Sequence, residues 1–331
     1  MSEFRPPIAI KTWIPIKSLG YVNVYAYENG NSVYLIDAGM YSARSIHGLI
    51  RRLKEKVGER FELEKIVITH FHVDHMTGAA LLKDVFSADV FVSIGELELP
   101  LRSGSPDYYL EGVFSLYSEN GVPDEAIKEI ERAHPALILS DAYRSFSSLE
   151  LRPIYSGDIL ALGDVRLRAV PAPGHTPGHI ILESLDYPAA FVGDSIIENI
   201  TPTIILDSWE RDPLGDYLKT LAYIAERKYH IAYSGHREPI IDPSVRAVEI
   251  LRHHESRLKE VEDLLRRKGA ATGYEVAREL KWRTRYASWE EYPPMEKFFA
   301  IGEALAHLRR LYIEGRVEVI EKNGSRLYRP I

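Results

Sequence analysis

The chain has no cysteine among its 331 residues. A disulfide, a thiolate metal ligand and a cysteine nucleophile are therefore excluded, and any metal must be held by nitrogen and oxygen. Glutamine is also absent and asparagine scarce, while Glu, Arg and Tyr are plentiful. That bias fits selection against thermolabile side chains and suggests a thermophilic source. No stretch approaches the roughly 20 consecutive apolar residues that cross a bilayer, and Met1-Ser2-Glu3-Phe4-Arg5-Pro6-Pro7 lacks the apolar core of a signal peptide. The expectation is a cytoplasmic protein with no membrane partner. Residues 1–249 carry 24 Lys+Arg against 35 Asp+Glu, whereas residues 250–331 carry 17 against 13. A basic tail on an acidic body points to a polyanionic partner, and a solvated helical surface accounts for it equally well.

What is present is concentrated in one heptapeptide. Thr69-His70-Phe71-His72-Val73-Asp74-His75 sets three imidazoles and a carboxylate where the apolar strand Lys65-Ile66-Val67-Ile68 runs out. Imidazole and carboxylate suit a borderline divalent cation such as zinc, and alternation along an extended segment sends His70 and His72 to the same side. Asp74 and His75 then reach toward a second position.

Around this motif the pattern is that of a layered α/β body. Tyr21 to Tyr27 and Ser32 to Asp37 read as strands joined by a turn containing Asn29-Gly30, and helical spacing at 46–57 and 78–86 alternates with strands at 66–68 and 89–94. An insertion from about 96 to 155 interrupts this rhythm with helical segments. Tyr108, Tyr109, Phe114 and Tyr117 on it could line a pocket under a lid, or contribute to a helical core. A second β-rich half begins at Asp158, followed by a helix at 212–228, a strand at 230–234 and a long helix at 243–268. Beyond it the pattern predicts a short helix at 272–280, a longer one at 295–314 with Phe299, Leu305, Leu308 and Leu311 on its apolar face, and a hairpin about Asn323-Gly324. Helices followed by a hairpin suggest a small winged-helix-like α+β domain at 250–331, appended to a catalytic domain at 1–249.

Three further segments hold chemistry-bearing residues at strand ends: Pro173-Gly174-His175-Thr176-Pro177-Gly178-His179, Phe191-Val192-Gly193-Asp194-Ser195 and Tyr233-Ser234-Gly235-His236-Arg237. Alone, a strand-end aspartate is a turn former and a single histidine a satisfied core residue. Together, in this order and downstream of the heptapeptide, they closely resemble the metallo-β-lactamase superfamily from about Tyr21 to Pro239. The resemblance implies a four-layer αββα sandwich with two divalent metal ions at the strand ends. It implies that His70, His72 and His175 bind the first, Asp74, His75 and His236 the second, and that Asp194 bridges them. Asp37, in Leu35-Ile36-Asp37-Ala38-Gly39, would support the ligands from behind, as would Thr69. His179 is not a ligand in the family and is read as structural. Zinc is the expected metal, and manganese or iron would accept the same donors.

The implied chemistry is hydrolysis. Two cations roughly 3.5 to 4 Å apart keep a bridging hydroxide available at neutral pH and polarise the oxygen that gains charge, with Asp74 and Asp194 as the catalytic carboxylates. Arg237 could bind a substrate anion, although an ordinary surface arginine is the simpler reading. The donor set resembles the hydroxyacylglutathione hydrolase (glyoxalase II) branch and the lactamase-β-like endoribonuclease branch, and the tail resembles the C-terminal domain of the latter. The leading expectation is hydrolysis of a small ester, thioester or lactone. The alternative is phosphodiester cleavage in single-stranded RNA held by the basic tail. A metal-dependent sensor whose tail binds nucleic acid or forms a homodimer is the non-catalytic reading.

Overall fold

The computed structural model describes residues 5–15, 19–98, 106–322 and 324–331. Its first half is built from β1 (Ile8–Trp13), β2 (Tyr21–Asn29), β3 (Ser32–Ile36), α1 (Ala43–Val57), β4 (Glu62–Ile68), α2 (Val73–Met76), α3 (Gly78–Val85) and β5 (Asp89–Ser93). Four helices, α4 (Ile94–Glu98), α5 (Pro106–Glu119), α6 (Asp124–Ala133) and α7 (Pro135–Ile138), precede α8 (Ser140–Ser147) and β6 (Leu151–Ile154). The six strands form one sheet in sequence order, antiparallel from β1 to β3 and parallel from β3 to β6. The three parallel pairs need helical crossovers, which α1, α3 and the run α4 to α8 provide.

The second half supplies β7 (Ile159–Leu162), β8 (Val165–Pro171), β9 (Ile180–Ser184), β10 (Ala189–Gly193), α9 (Pro213–Glu226), β11 (Ile231–Ser234) and β12 (Ile240–Ile241). They form a sheet ordered β12-β11-β10-β9-β8-β7. Strand alternation explains how the sheets stack. On β2 and β3, Tyr25, Tyr27, Tyr34 and Ile36 point between the sheets, where they meet Leu182, Phe191 and Tyr233. Val24, Ala26, Val33 and Leu35 point the other way, into the cluster that includes Leu49 and Leu53 of α1. On the outer side of the second sheet, Ala190 and Val192 share that apolar cluster with Leu221 and Ile224 of α9. The result is the αββα layering expected from the resemblance.

The chain continues with α10 (Pro243–Lys268), β13 (Ala271–Thr272), α11 (Gly273–Glu279), α12 (Pro294–Ile313), β14 (Val317–Lys322) and β15 (Ser325–Pro330). The last three strands make a small sheet ordered β13-β15-β14. Asn323, one half of the expected hairpin turn, lies outside the described residues, as does the side chain of Tyr108. Among the described residues, no helix is long and apolar enough to cross a membrane.

Three features differ from the sequence reading. Residues 151–154, placed in the insertion, form β6 and pair with β5, and β1 was not anticipated. β6 is interrupted by Pro153, and β1 follows Pro6-Pro7 and buries Thr12 while exposing Trp13, so apolar alternation is weak in both. On α12 the buried aromatic is Phe298, while Phe299 is 43% exposed. The two adjacent rings lie about 100° apart around the helix, and only tertiary packing selects one of them.

Candidate metal centre

The site stands where the strands of both sheets end. After Ile68 the chain leaves β4, bends at Thr69 and His70, passes His72 in extended backbone and then turns into α2, which carries Asp74 and His75. His175 follows β8, Asp194 follows β10 and His236 follows β11. Asn23 of β2 holds the last of these loops to the first sheet, its side-chain amide donating to the carbonyls of Ser234 (3.0 Å) and Arg237 (2.8 Å). Gly235 lies so close to the centre that a Cβ there would come within 2.4 Å of both Asp194 Oδ1 and His75 Cε1. A side chain at 235 would occupy the site itself.

Hydrogen bonds at the rear of the rings fix which nitrogens face inward. His75 Nδ1 donates to Asp37 Oδ2 (2.8 Å), His175 Nδ1 to the Thr203 carbonyl (3.1 Å) and His236 Nδ1 to the Tyr21 carbonyl (2.9 Å). The Thr69 hydroxyl is committed to the Asp37 carboxylate, so it accepts from His70 Nδ1 at 3.0 Å. In all four rings Nε2 is left as a lone pair aimed at the centre. His72 is turned the other way: its Nδ1 lies 3.2 Å from His70 Nε2 and 3.1 Å from His175 Nε2. His75 Nε2 and His236 Nε2 are 3.4 Å apart.

Lone pairs facing one another at these separations repel unless something positive lies between them. Donors about 2.0 to 2.1 Å from a tetrahedral cation are themselves roughly 3.3 Å apart, so the spacing fits a shared ion. The donor atoms fall into three overlapping groups: His70, His72 and His175; His70, His75 and Asp194; and Asp74, His75 and His236. Asp194 Oδ2 lies 3.4 Å from His236 Nε2, 3.6 Å from His75 Nε2 and 3.7 Å from His175 Nε2. Asp74 Oδ2 is 3.4 Å from His236 Nε2. The other carboxylate oxygen of Asp194, Oδ1, is buried without a hydrogen-bond partner among the described residues. An orphaned carboxylate oxygen in a ring of imidazole lone pairs fits a divalent cation.

The electrostatics agree. Burial, reinforced by neighbouring imidazoles, holds His70 and His72 well below the ordinary histidine range, and burial also lowers His175. Burial opposes protonation of His75 and His236 too, yet the surrounding carboxylates, Asp194 foremost, outweigh it and raise both. Burial would likewise raise Asp194, but His236 and His75 hold it well below the carboxylate range. The Asp74–His75–His236 side thus attracts positive charge, while the His70–His72–His175 side offers neutral donors.

The structure brings together the seven residues His70, His72, Asp74, His75, His175, Asp194 and His236, with Asp37 and Thr69 directly behind them. Asp37 sits in the left-handed region, with φ of 61°, at the end of β3. Aspartate tolerates this conformation better than most residues, and here it lets one carboxylate accept from the Thr69 amide, the Thr69 hydroxyl and His75 together. His179 lies under the site, its Nε2 accepting from the Asp194 amide at 3.1 Å, and burial lowers its pKa to about 3. It acts as a neutral acceptor. Arg237 adjoins His236 in left-handed backbone, with φ of 66°.

Sequence reasoning missed Glu96. Its carboxylate is fully buried, accepts from the Thr176 hydroxyl, and lies near the amides of Gly178 and Phe71; burial pushes it up to about 7 against those interactions. It therefore joins the loop carrying His70 and His72 to the loop carrying His175. Nothing in Gly95-Glu96-Leu97-Glu98 distinguishes it from a surface glutamate. The backbone carbonyls of Thr203 and Tyr21 leave no side-chain signal at all.

The Metallo-beta-lactamase superfamily model matches residues 18–236. The Bacillus subtilis protein named "Probable metallo-hydrolase YqjP" is 25% identical over 315 residues, spanning 93% of this chain and 92% of that protein. A metallo-beta-lactamase family protein of Thermus thermophilus superposes with a TM-score of 0.80 at 26% identity, covering 98% of each chain. A beta-lactamase domain protein of Burkholderia ambifaria shares the fold with a TM-score of 0.79 at 19% identity, covering 100% of this chain and 94% of that one. With the geometry above, these likenesses identify the chain as a member of the metallo-beta-lactamase superfamily and a metal-dependent hydrolase.

Proposed function

We propose that the protein is a dinuclear hydrolase of small esters, thioesters or lactones. One observation carries this reading: a single carboxylate oxygen, Asp194 Oδ2, stands within 3.7 Å of ring nitrogens from both donor triads. His70, His72 and His175 would hold one cation, Asp74, His75 and His236 the other, with Asp194 between them. Zinc suits the donors best, and manganese or iron would fit the same set. Bound there, divalent ions acidify water and polarise a carbonyl.

The chain's own residues do the rest. Asp194 stays ionised and fixes the spacing of the two triads. Asp74, reaching the centre from α2, accepts the proton of the attacking water as the new C–O bond forms. It then returns that proton to the leaving oxygen or sulfur when the scissile bond breaks. Asp37 keeps the His75 ring in the tautomer that presents Nε2.

The insertion favours a small substrate. Tyr109 of α5 packs edge-on against Phe71, 5.7 Å between ring centroids, and Phe71 adjoins His72 at 5.2 Å. Tyr143 of α8 is buried near Asp74, where burial and then that carboxylate raise its phenol. His70 and His75 are 0% exposed and Asp74 6%. An extended polynucleotide backbone would need a more open trough. We read residues 250–331 as a winged-helix-type module appended to a catalytic body at 1–249. The element order α10-β13-α11-α12-β14-β15 supports that reading.

The test is ion analysis of purified protein followed by a panel of esters, thioesters, lactones and single-stranded RNA. The expected result is two ions per chain and turnover of a carbonyl substrate that falls at least roughly a hundredfold in Asp194→Ala. Unchanged turnover in metal-loaded Asp194→Ala overturns the mechanism, and turnover of RNA alone overturns the substrate class.

A further inference from the structure

We infer that the C-terminal helices position the metal centre: α10 and α12 clamp the loop whose Thr203 carbonyl orients His175, and Gly302 is where α12 packs directly against that loop. The inference rests on the reading that His70, His72 and His175 hold a cation. Residues 195–212 run from Asp194 to α9 without a helix or strand. Such a segment needs partners from elsewhere for its backbone groups.

Those partners come from beyond residue 242. At the start of the loop, Arg246 of α10 donates from Nε to the Ile197 carbonyl (2.8 Å) and from Nη2 to the Ile200 carbonyl (3.0 Å). At its end, Arg309 donates to the Arg211 carbonyl (3.2 Å), and Arg310 pairs with Asp212 (2.8 Å), the residue that caps α9. Between these anchors the Leu206 amide donates to the Gly302 carbonyl at 3.1 Å. Thr203, three residues before Leu206, accepts from His175 Nδ1. A chain of contacts thus runs from α12 through 203–206 to an imidazole of the first triad.

Gly302 allows this approach. A Cβ there would lie 2.7 Å from Ile205 Cβ and Cγ2 and 2.7 Å from the Tyr117 hydroxyl. Ile205 Cβ is fixed to the loop backbone and cannot swing aside, so an alanine would displace the loop itself. The Thr203 carbonyl would move with it, and the His175 ring would lose the bond that keeps Nε2 pointed inward. The role also accounts for the burial of α12. Ile301, Ala304, Leu305, Ala306, Leu308 and Leu311 are all 0% exposed. A helix covered on so many sides cannot enter a nucleic-acid groove as the corresponding helix of a DNA-binding winged helix does. Its packing serves the active site.

The test is titration of apo-protein with Zn2+ against a competing chelator, comparing wild type, Gly302→Ala and Arg246→Ala. In Gly302→Ala one of two ions should bind roughly 10- to 100-fold more weakly while the other keeps its affinity. Arg246→Ala, which removes the two anchors at the loop's start without a clash, should show the same one-ion loss to a smaller degree and remains informative if Gly302→Ala does not fold. General destabilisation would instead weaken both ions together. Wild-type affinity for both ions in the folded variants, or parallel loss of both, overturns the inference. If wild type itself binds fewer than two ions, the dinuclear reading fails first.

Discussion

Two places in this molecule bury histidines, and they do opposite things with them. At the candidate metal centre five imidazoles converge with two carboxylates, four of the rings fixed from behind so that Nε2 faces inward. Between α10 and α12, His254 and His307 are equally buried and lie 3.1 Å apart, Nδ1 to Nε2. His307 Nδ1 donates to the Glu303 carbonyl at 2.7 Å, so its Nε2 must accept from His254 Nδ1. The chain of bonds then ends at His254 Nε2, which has no hydrogen-bond partner among the described residues. Among the described residues no third donor group converges there, and the pair joins two helices. Burial alone therefore does not make a site. Converging lone pairs with a carboxylate among them do.

Removing metal should separate the two regions most sharply. A ligand that binds only the folded state at a thousandfold excess over its dissociation constant adds about 4 kcal/mol of stability. Chelation should therefore lower the denaturant midpoint strongly in wild type and by a similar amount in His254→Phe, because neither imidazole of the helical pair is among the converging donors. A chelator effect that vanished in His254→Phe would break the comparison. A smaller effect is expected at the support behind His75. Asp37→Asn keeps the shape but removes the charge, and should weaken metal binding roughly 10- to 100-fold, read by competition with a chromophoric chelator.

The helical pair should instead reveal itself through pH. Burial lowers His254 and pushes His307 down to about 3, whereas an unfolded histidine titrates near 6.5. The unfolded chain thus binds the proton first. The stability contributed by the neutral ring is fully present above about pH 6.5 and is lost as pH falls from there toward the folded value. For His307 that loss is on the order of 2 kcal/mol between pH 7 and pH 5. Urea midpoints of wild type and His307→Phe at the two pH values measure it. An identical pH slope in both proteins would show that the pair carries no such linkage.

The layered α/β body was legible because strands and helices alternate with clear periods, and the αββα order followed only from the resemblance carried by the short motifs at the strand ends. The heptapeptide even divides itself: His70 and His72 precede α2, while Asp74 and His75 lie on it. Other features were not legible for identifiable reasons. β6 has four residues with a proline among them, and β1 buries Thr12 while exposing Trp13, so apolar alternation marks neither. The inward nitrogen of His72 depends on where His70 and His175 stand. Glu96 looks like any exposed glutamate until Thr176, Gly178 and Phe71 surround it.

The sequence by itself determined the chemistry available to this protein: nitrogen and oxygen donors without sulfur, clustered where strands end. That information is local, because a strand followed by a histidine-rich turn places its side chains within a few residues of one another. Only the tertiary structure decided how those donors are held. The Asp37, Thr203 and Tyr21 oxygens that set the ring tautomers come from distant segments. So does the close approach at Gly302, where α12 meets the loop that steadies His175. Contacts of that kind join segments from 28 to 215 positions apart, and no periodicity in the chain records them.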